Sequence, residues 1–211
     1  MARINTVNKS RKEKVCGGCG KLIPVGSKYF YVDFYSGRTA IRCASCGFKP
    51  YETTENPYLQ ELYRIQYDYS NRLNELTPTS EEAPNDVKDD LVSELESLRD
   101  EVQERFDNIP EQLQDGDAGS LLQERIDSLD EAISDIDSED LDSFEYWRDD
   151  EGYGEDDFAS WLEDNGYDTE DEKFDEESAK SDFESEAEEK YQEAIDDFVS
   201  NVQDSLDNIA E

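Results

Sequence analysis

"CGGCG" at Cys16–Gly20 and "CASCG" at Cys43–Gly47 are two matched C-x-x-C-G knuckles. Such a turn sets two thiolates on one side of a metal tetrahedron, and its backbone N–H groups stabilise their charge. The glycine after each pair supplies the positive φ that closes the turn. The chain of 211 residues has 4 cysteines and no histidine. The spacing therefore predicts an all-cysteine zinc site of Cys16, Cys19, Cys43 and Cys46, holding one structural ion with no open position for a catalytic water. A redox C-x-x-C usually stands alone at the start of a helix, and a disulfide framework belongs to secreted domains, so neither alternative suits this pattern as well.

Between the knuckles, Lys28 to Phe34 is aromatic and β-branched enough for a strand, Ser36-Gly37 reads as a turn, and Arg38 to Arg42 reads as a return strand. That hairpin delivers the second cysteine pair back to the first. The resulting module, residues 15–50, is too small to fold on an apolar core alone, so the metal supplies much of its stability.

Outside the module the composition changes sharply. Residues 1–50 carry ten Lys/Arg against Glu13 and Asp33, a balance of +8, whereas the remainder holds 55 acids against ten bases, a balance of −45. With 35% hydrophobic and 36% charged residues, the acidic part predicts exposed helices rather than one large core. The expected fold class is mainly α with a small β zinc-ribbon-like N-terminal module, an antiparallel helical hairpin and a long C-terminal helix.

Residues 1–14, polar and basic, read as a flexible arm. Asn56-Pro57 opens a helix attached to the module over 51–76, with Leu59, Leu62, Tyr69, Leu73 and Leu76 as its stripe. Residues 77–85 read as a linker. The segment 86–137 reads as a helical hairpin: Leu91, Leu95, Leu98, Val102 and Ile109 mark its first arm. A Ser120–Gln123 capping box opens the second arm, whose seam is Leu122, Ile126, Leu129, Ile133 and Ile136 in 4-3-4-3 order. Residues 138–168 predict short acidic, aromatic helices ending near Gly152 and Gly166. A Thr169–Glu172 capping box predicts a long helix over 169–211, apolar along Phe183, Ala187, Tyr191, Ile195, Phe198, Val202, Leu206 and Ile209 and in need of a partner. "VQERFDNIPE" (102–111) and "VQDSLDNIAE" (202–211) agree at six of ten positions, a sign of helix duplication or of two similar amphipathic helices.

The pattern C-x-x-C-G-K-x-I-x-x-G-x-x-Y over Cys16–Tyr29, followed by the aromatic strand and second knuckle, resembles zinc ribbons. It is also similar to the opening of poly(ADP-ribose) polymerase-type zinc fingers, which recognise DNA breaks. That family has a histidine as third ligand where this chain has Cys43, so break recognition does not carry over. The stretch "DNIPEQLQDGDAGSLLQERID" (107–127) resembles uncharacterised tailed-phage proteins in which a basic four-cysteine module precedes acidic helices. The likeness extends over roughly residues 8–137 and implies architecture, with no activity attached.

Functionally, Lys9, Arg11, Lys12, Lys14, Lys21, Lys28, Arg38 and Arg42 interleave with Tyr29, Tyr31 and Tyr35, a mixture suited to phosphate contact and base stacking. The tyrosines equally serve as the module's core, and the bases as a counterweight to the acidic half. The acidic half reads as solvated helices engaging a protein, as a mimic of nucleic-acid phosphates that inhibits a host protein, as a self-associating structural part, or as adaptation to high salt. The basic head argues against the last, because adaptation would acidify both halves. "DIDSED" (135–140) fails the calcium-loop pattern, with Asp140 where glycine is needed. No nucleophile elbow or phosphate-binding glycine loop is present, so an enzyme is not expected. No apolar run spans a bilayer, and the N-terminus lacks a secretory h-region, which predicts a cytoplasmic protein.

Overall fold

The computed structural model describes residues 2–170 and 173–210, in one unit ending at Asp68 and a second over Tyr69–Ala210. The first unit contains β1 (Ile4–Val7), β2 (Lys14–Val15), β3 (Leu22–Ile23), β4 (Tyr29–Asp33) and β5 (Thr39–Cys43). Strands β4 and β5 are the expected hairpin, antiparallel in the register Tyr29↔Cys43 to Asp33↔Thr39. The N-terminal segment is not the free arm that its polarity suggested. Ile4–Val7 pairs antiparallel with β4, giving the sheet order β1-β4-β5, and Lys14–Val15 pairs with β3 as a separate ribbon. The loop between them is anchored as well: Ser10 is buried, its N–H donates to Ser27 O at 2.9 Å, and its carbonyl accepts from Gly26 N–H at 2.8 Å.

After a 3-10 turn at Pro50–Thr53, helix α1 (Pro57–Asn74) begins where Asn56-Pro57 predicted. Asn56 Oδ1 accepts from Tyr58 N–H at 3.0 Å, so the cap satisfies one of the free first-turn donors. The buried stripe runs through Tyr58, Leu62, Ile65, Tyr69, Leu73 and Leu76, while Leu59 is only half-buried. The division between the two units falls inside this helix.

The second unit is built on α2 (Pro84–Asp107), the single-turn α3 (Glu111–Gln114), α4 (Asp117–Ser138), α5 (Phe144–Asp150), α6 (Phe158–Asp164) and α7 (Glu176–Asp207). Helix α2 starts at Pro84 rather than Asp86, with proline in the first turn where its missing N–H costs nothing. Helix α4 starts a turn before the predicted Ser120 cap. Gly119 makes this possible: a Cβ there would lie 1.9 Å from Gln114 O, so only glycine lets α3 and α4 meet so closely.

Helices α2 and α4 run antiparallel, with Lys88 Nζ donating to Glu139 O at 3.0 Å at one end and Arg99 Nη1 meeting Asp130 at 2.9 Å further along. Helix α7 also packs antiparallel on α4: Ser128 Oγ accepts from Ala210 N–H at 2.8 Å, and Asn201 Nδ2 donates to Glu139 Oε2 at 3.2 Å. The seam that the sequence reading offered to a partner or a second copy is thus filled by α4 of the same chain. The echo between 102–111 and 202–211 acquires a structural meaning here. Val87, Leu91, Leu95, Leu98 and Val102 are buried in α2, and their counterparts one hundred residues on, Ala187, Tyr191, Ile195, Phe198 and Val202, are buried in α7. Both helices end alike, at αR C-caps Asn108 and Asn208.

Helix α7 is capped by Asp175, whose side chain accepts from Ser178 N–H, and its 32 residues extend about 48 Å. The expected start at Thr169 is not realised, because that residue sits in a turn. The Glu172 half of the proposed capping box lies outside the described residues. The short helices α5 and α6 end near Gly152 and Gly166, as expected, each glycine following the C-cap with positive φ. They lay Phe144, Trp147, Tyr153, Phe158 and Trp161 along the first half of α7 around Phe183 and Tyr191. Trp161 Nε1 donates to Glu186 Oε2 at 2.8 Å, so the one polar atom of that ring is satisfied.

Candidate metal centre

The hairpin register places Cys43 at the end of β5, beside Tyr29, and the first knuckle folds over it: Gly17 N–H donates to Ile41 O at 2.8 Å. Each knuckle closes on its own backbone. Gly20 N–H donates to Cys16 O at 2.9 Å and Gly47 N–H to Cys43 O at 3.1 Å, and both glycines have positive φ, 70° and 63°. The four Sγ atoms lie within 4.8 Å of one another, with Cys19 and Cys43 at 3.9 Å. A tetrahedral tetrathiolate zinc with Zn–S near 2.3 Å needs sulfurs about 3.8 Å apart, so the donor set and spacing fit one such ion. Among the described residues this is the one metal-competent group of cysteine, aspartate or glutamate side chains.

The thiols differ in proton affinity. Hydrogen bonding from Ser45 Oγ, reinforced by the Cys46 N–H, lowers Cys43 to about 6. Cys46, hydrogen-bonded to the other sulfurs, is pushed up to about 12. Burial raises Cys16, but N–H groups of Cys19, Cys43 and Gly18 outweigh it and leave the thiol lowered; the Cys43 N–H is 3.2 Å from its sulfur. A metal must displace whatever protons remain. Around neutral pH Cys46 holds its proton while Cys43 does not, so zinc loading releases protons and affinity weakens as pH falls. The expected slope is about tenfold per pH unit for each proton displaced, steepening below about pH 6 where Cys43 also protonates. Chelator competition across this range, with proton release followed in weak buffer, checks it; an affinity flat with pH would refute the assignment of these protonation states.

The bases divide into two groups. Arg42 lies across the first knuckle. Its Nε donates to Glu52 Oε1 at 3.2 Å, it stacks on Phe48 at 5.2 Å, and a Cβ on Gly17 would meet its Nη1 at 2.6 Å. Arg38 stacks on Phe34 at 4.6 Å beside Glu55. These two, read from sequence as nucleic-acid contacts, are engaged within the module; Arg42 in particular clamps the knuckle to the following turn. Lys9, Arg11, Lys12, Lys14, Lys21 and Lys28 have no carboxylate within salt-bridge reach among the described residues. The backbone bonds of Ser10 to Gly26 and Ser27 bring the Lys9–Lys12 loop beside Lys28, while Lys14 lies in β2 of the ribbon and Lys21 directly precedes β3.

Tyr29 and Tyr31 share one face of β4, 6.3 Å apart and half-buried, whereas Tyr35 at the hairpin tip is fully exposed. Sequence reasoning missed the exposed aliphatic pair Val15 and Leu22, directly opposite one another on the ribbon, because strand alternation predicts apolar residues on the inner face only.

The fold and site define a small β metal module joined to an all-α acidic bundle. No protein-family model, curated protein or solved structure matches the chain. Among the described residues no helix is long and apolar enough to cross a membrane.

Proposed function

We propose that this is a non-enzymatic, phage-type accessory protein whose zinc-held module binds nucleic acid and whose acidic bundle engages a basic protein surface. The observation that carries the reading is the partition of the bases. Most arginines and lysines of the helical half are tied to carboxylates, for example Arg72 to Asp90 and Arg99 to Asp130, while the six cations of the Lys9–Lys28 region are not. In a chain with a net charge of −37, cations left without carboxylates are held ready for an anion from outside. Phosphates, spaced along a flexible polymer, match several bases on loop and ribbon better than a single carboxylate does.

The test is binding of single- and double-stranded oligonucleotides to the zinc-loaded full chain at several salt concentrations. The triple variant Lys9→Glu, Arg11→Glu, Lys12→Glu is expected to reduce affinity and to flatten the log–log salt slope by roughly 0.7–0.9 for each phosphate no longer neutralised. Wild-type binding no stronger than that of the variant would overturn the reading.

A second reading, mimicry of nucleic acid, draws support from the bundle's outer faces, where Asp and Glu far outnumber their cationic partners. It predicts that a basic DNA-binding protein captured by the chain is released by free DNA.

A further inference from the structure

Strand β5 is an edge of the three-stranded sheet. In an antiparallel pair, alternate residues turn their N–H and C=O groups toward the neighbouring strand and away from it. Phe34 N–H donates to Arg38 O at 2.9 Å, which sets the phase: the even-numbered residues of β5 bond to β4, and Thr39, Ile41 and Cys43 face outward. Two outward groups are already used, since Ile41 O accepts from Gly17 N–H at 2.8 Å and Cys43 N–H points to Cys16 Sγ. The N–H and C=O of Thr39 and the N–H of Ile41 have no hydrogen-bond partner among the described residues.

A cleft of about 620 Å³ runs along this edge. One wall is β5, the other is formed by Tyr51 and Glu52 of the 3-10 turn and by Gln60, Glu61 and Arg64 of α1, with Arg64 paired to Glu61 at 2.7 Å, and Phe34, Ala40 and the exposed Val15 supply apolar surface. We propose that this cleft receives an extended segment of a partner protein, which adds to β5 as a further strand.

The chemistry of the edge selects this occupant. It offers two donors and one acceptor in strand spacing, and a peptide backbone answers all three, whereas a phosphate backbone accepts from the N–H groups but leaves the Thr39 carbonyl unanswered. A second copy would have to bring its own β5 edge up with the same helical wall beside it, so a lone strand fits the cleft better than a folded sheet. The site uses β5 backbone and not the Lys9–Lys12 loop, so it stands or falls separately from nucleic-acid binding.

The experiment is selection of displayed random dodecapeptides on the zinc-loaded full chain, followed by affinity measurements on the selected peptides. Ile41→Pro removes an outward N–H without touching the β4 ladder, and Ile41→Val is its control. Selected peptides are expected to bind Ile41→Pro about tenfold or more weakly, and to bind Ile41→Val within about twofold. They should bind the Lys9/Arg11/Lys12 charge-reversal variant as they bind wild type, and slow hydrogen exchange at the Thr39 and Ile41 amides. Failure to select peptides, binding abolished in the charge-reversal variant, or unchanged exchange at those two amides would overturn the proposal. Should Ile41→Pro lose its zinc, the exchange measurement on the wild-type chain decides alone.

Discussion

Cys16→Ser is expected to unfold the N-terminal module while leaving the acidic bundle folded. Cys16 is the buried member of the cluster, 1% exposed, and its sulfur also accepts from the Cys43 N–H, so the substitution removes a metal ligand and the link between the knuckles together. Structural zinc supplies about 10–16 kcal/mol of apparent binding free energy in small metal modules, against a total stability of about 5–15 kcal/mol for an ordinary domain. The apolar interior of the module, chiefly Ile23, Val32 and Phe34 with the start of α1, does not replace a term of that size. Zinc content should fall to near zero and the dispersed amide signals of β1, β4 and β5 should collapse. The far-UV helical signal should persist, because α2, α4 and α7 belong to the other unit. A strong chelator should reproduce this on the wild-type chain. Retained strand dispersion in the metal-free protein would show that the sheet stands on its own core and that the zinc reading overstates the metal's part.

What was legible in advance was whatever is decided locally. The knuckles are short, their glycines adopt the predicted left-handed turns, and the hairpin between them is contiguous, so spacing alone led to the four thiols. The α7 stripe was legible for the same reason, since its period survives in every turn from Phe183 to Ile209. Strand β1 was not: Ile4–Val7 is four residues with two polar members, and only its pairing with β4, more than twenty residues later, makes it a strand. The stripe of α1 was blurred because its inward face is carried by Tyr58 and Ile65, while Leu59, the stronger apolar signal, is half-buried. Composition also could not sort the bases. Arg42 and Lys9 are equal in sequence, but one meets Glu52 and Phe48 and the other meets no carboxylate, and that difference exists only once the turn at Pro50–Thr53 packs against β5.

The second large effect is expected at Tyr191, one of the core positions at which the two echoing helices differ. Its counterpart Leu91 serves one purpose, filling the α2 seam, and is fully buried. Tyr191 is also buried, but its ring touches Phe144 and Trp147, each 5.1 Å away between centroids, and its hydroxyl donates to Asp142 O at 2.7 Å. It therefore joins the bundle to the α5–α6 aromatic layer, and burial together with the nearby Asp142 raises its phenol to about 12, so it stays neutral at any ordinary pH. Tyr191→Ala should cost about 3–5 kcal/mol, the range for deleting a buried aromatic ring. Tyr191→Leu restores the α2 pattern and fills the seam but drops the ring stack and the hydroxyl, so its cost should be intermediate. Tyr191→Phe loses only one neutral hydrogen bond, about 1 kcal/mol. Urea unfolding of the three variants, followed by the fluorescence of Trp147 and Trp161 for the aromatic layer and by far-UV signal for the helices, reads both roles. The ordering Ala, Leu, Phe from most to least destabilised is required, with the fluorescence transition shifted ahead of the helical one in the Leu variant. If the Leu variant matches wild type in both transitions, Tyr191 is only a seam residue, and the aromatic layer is held to α7 through Phe183 instead.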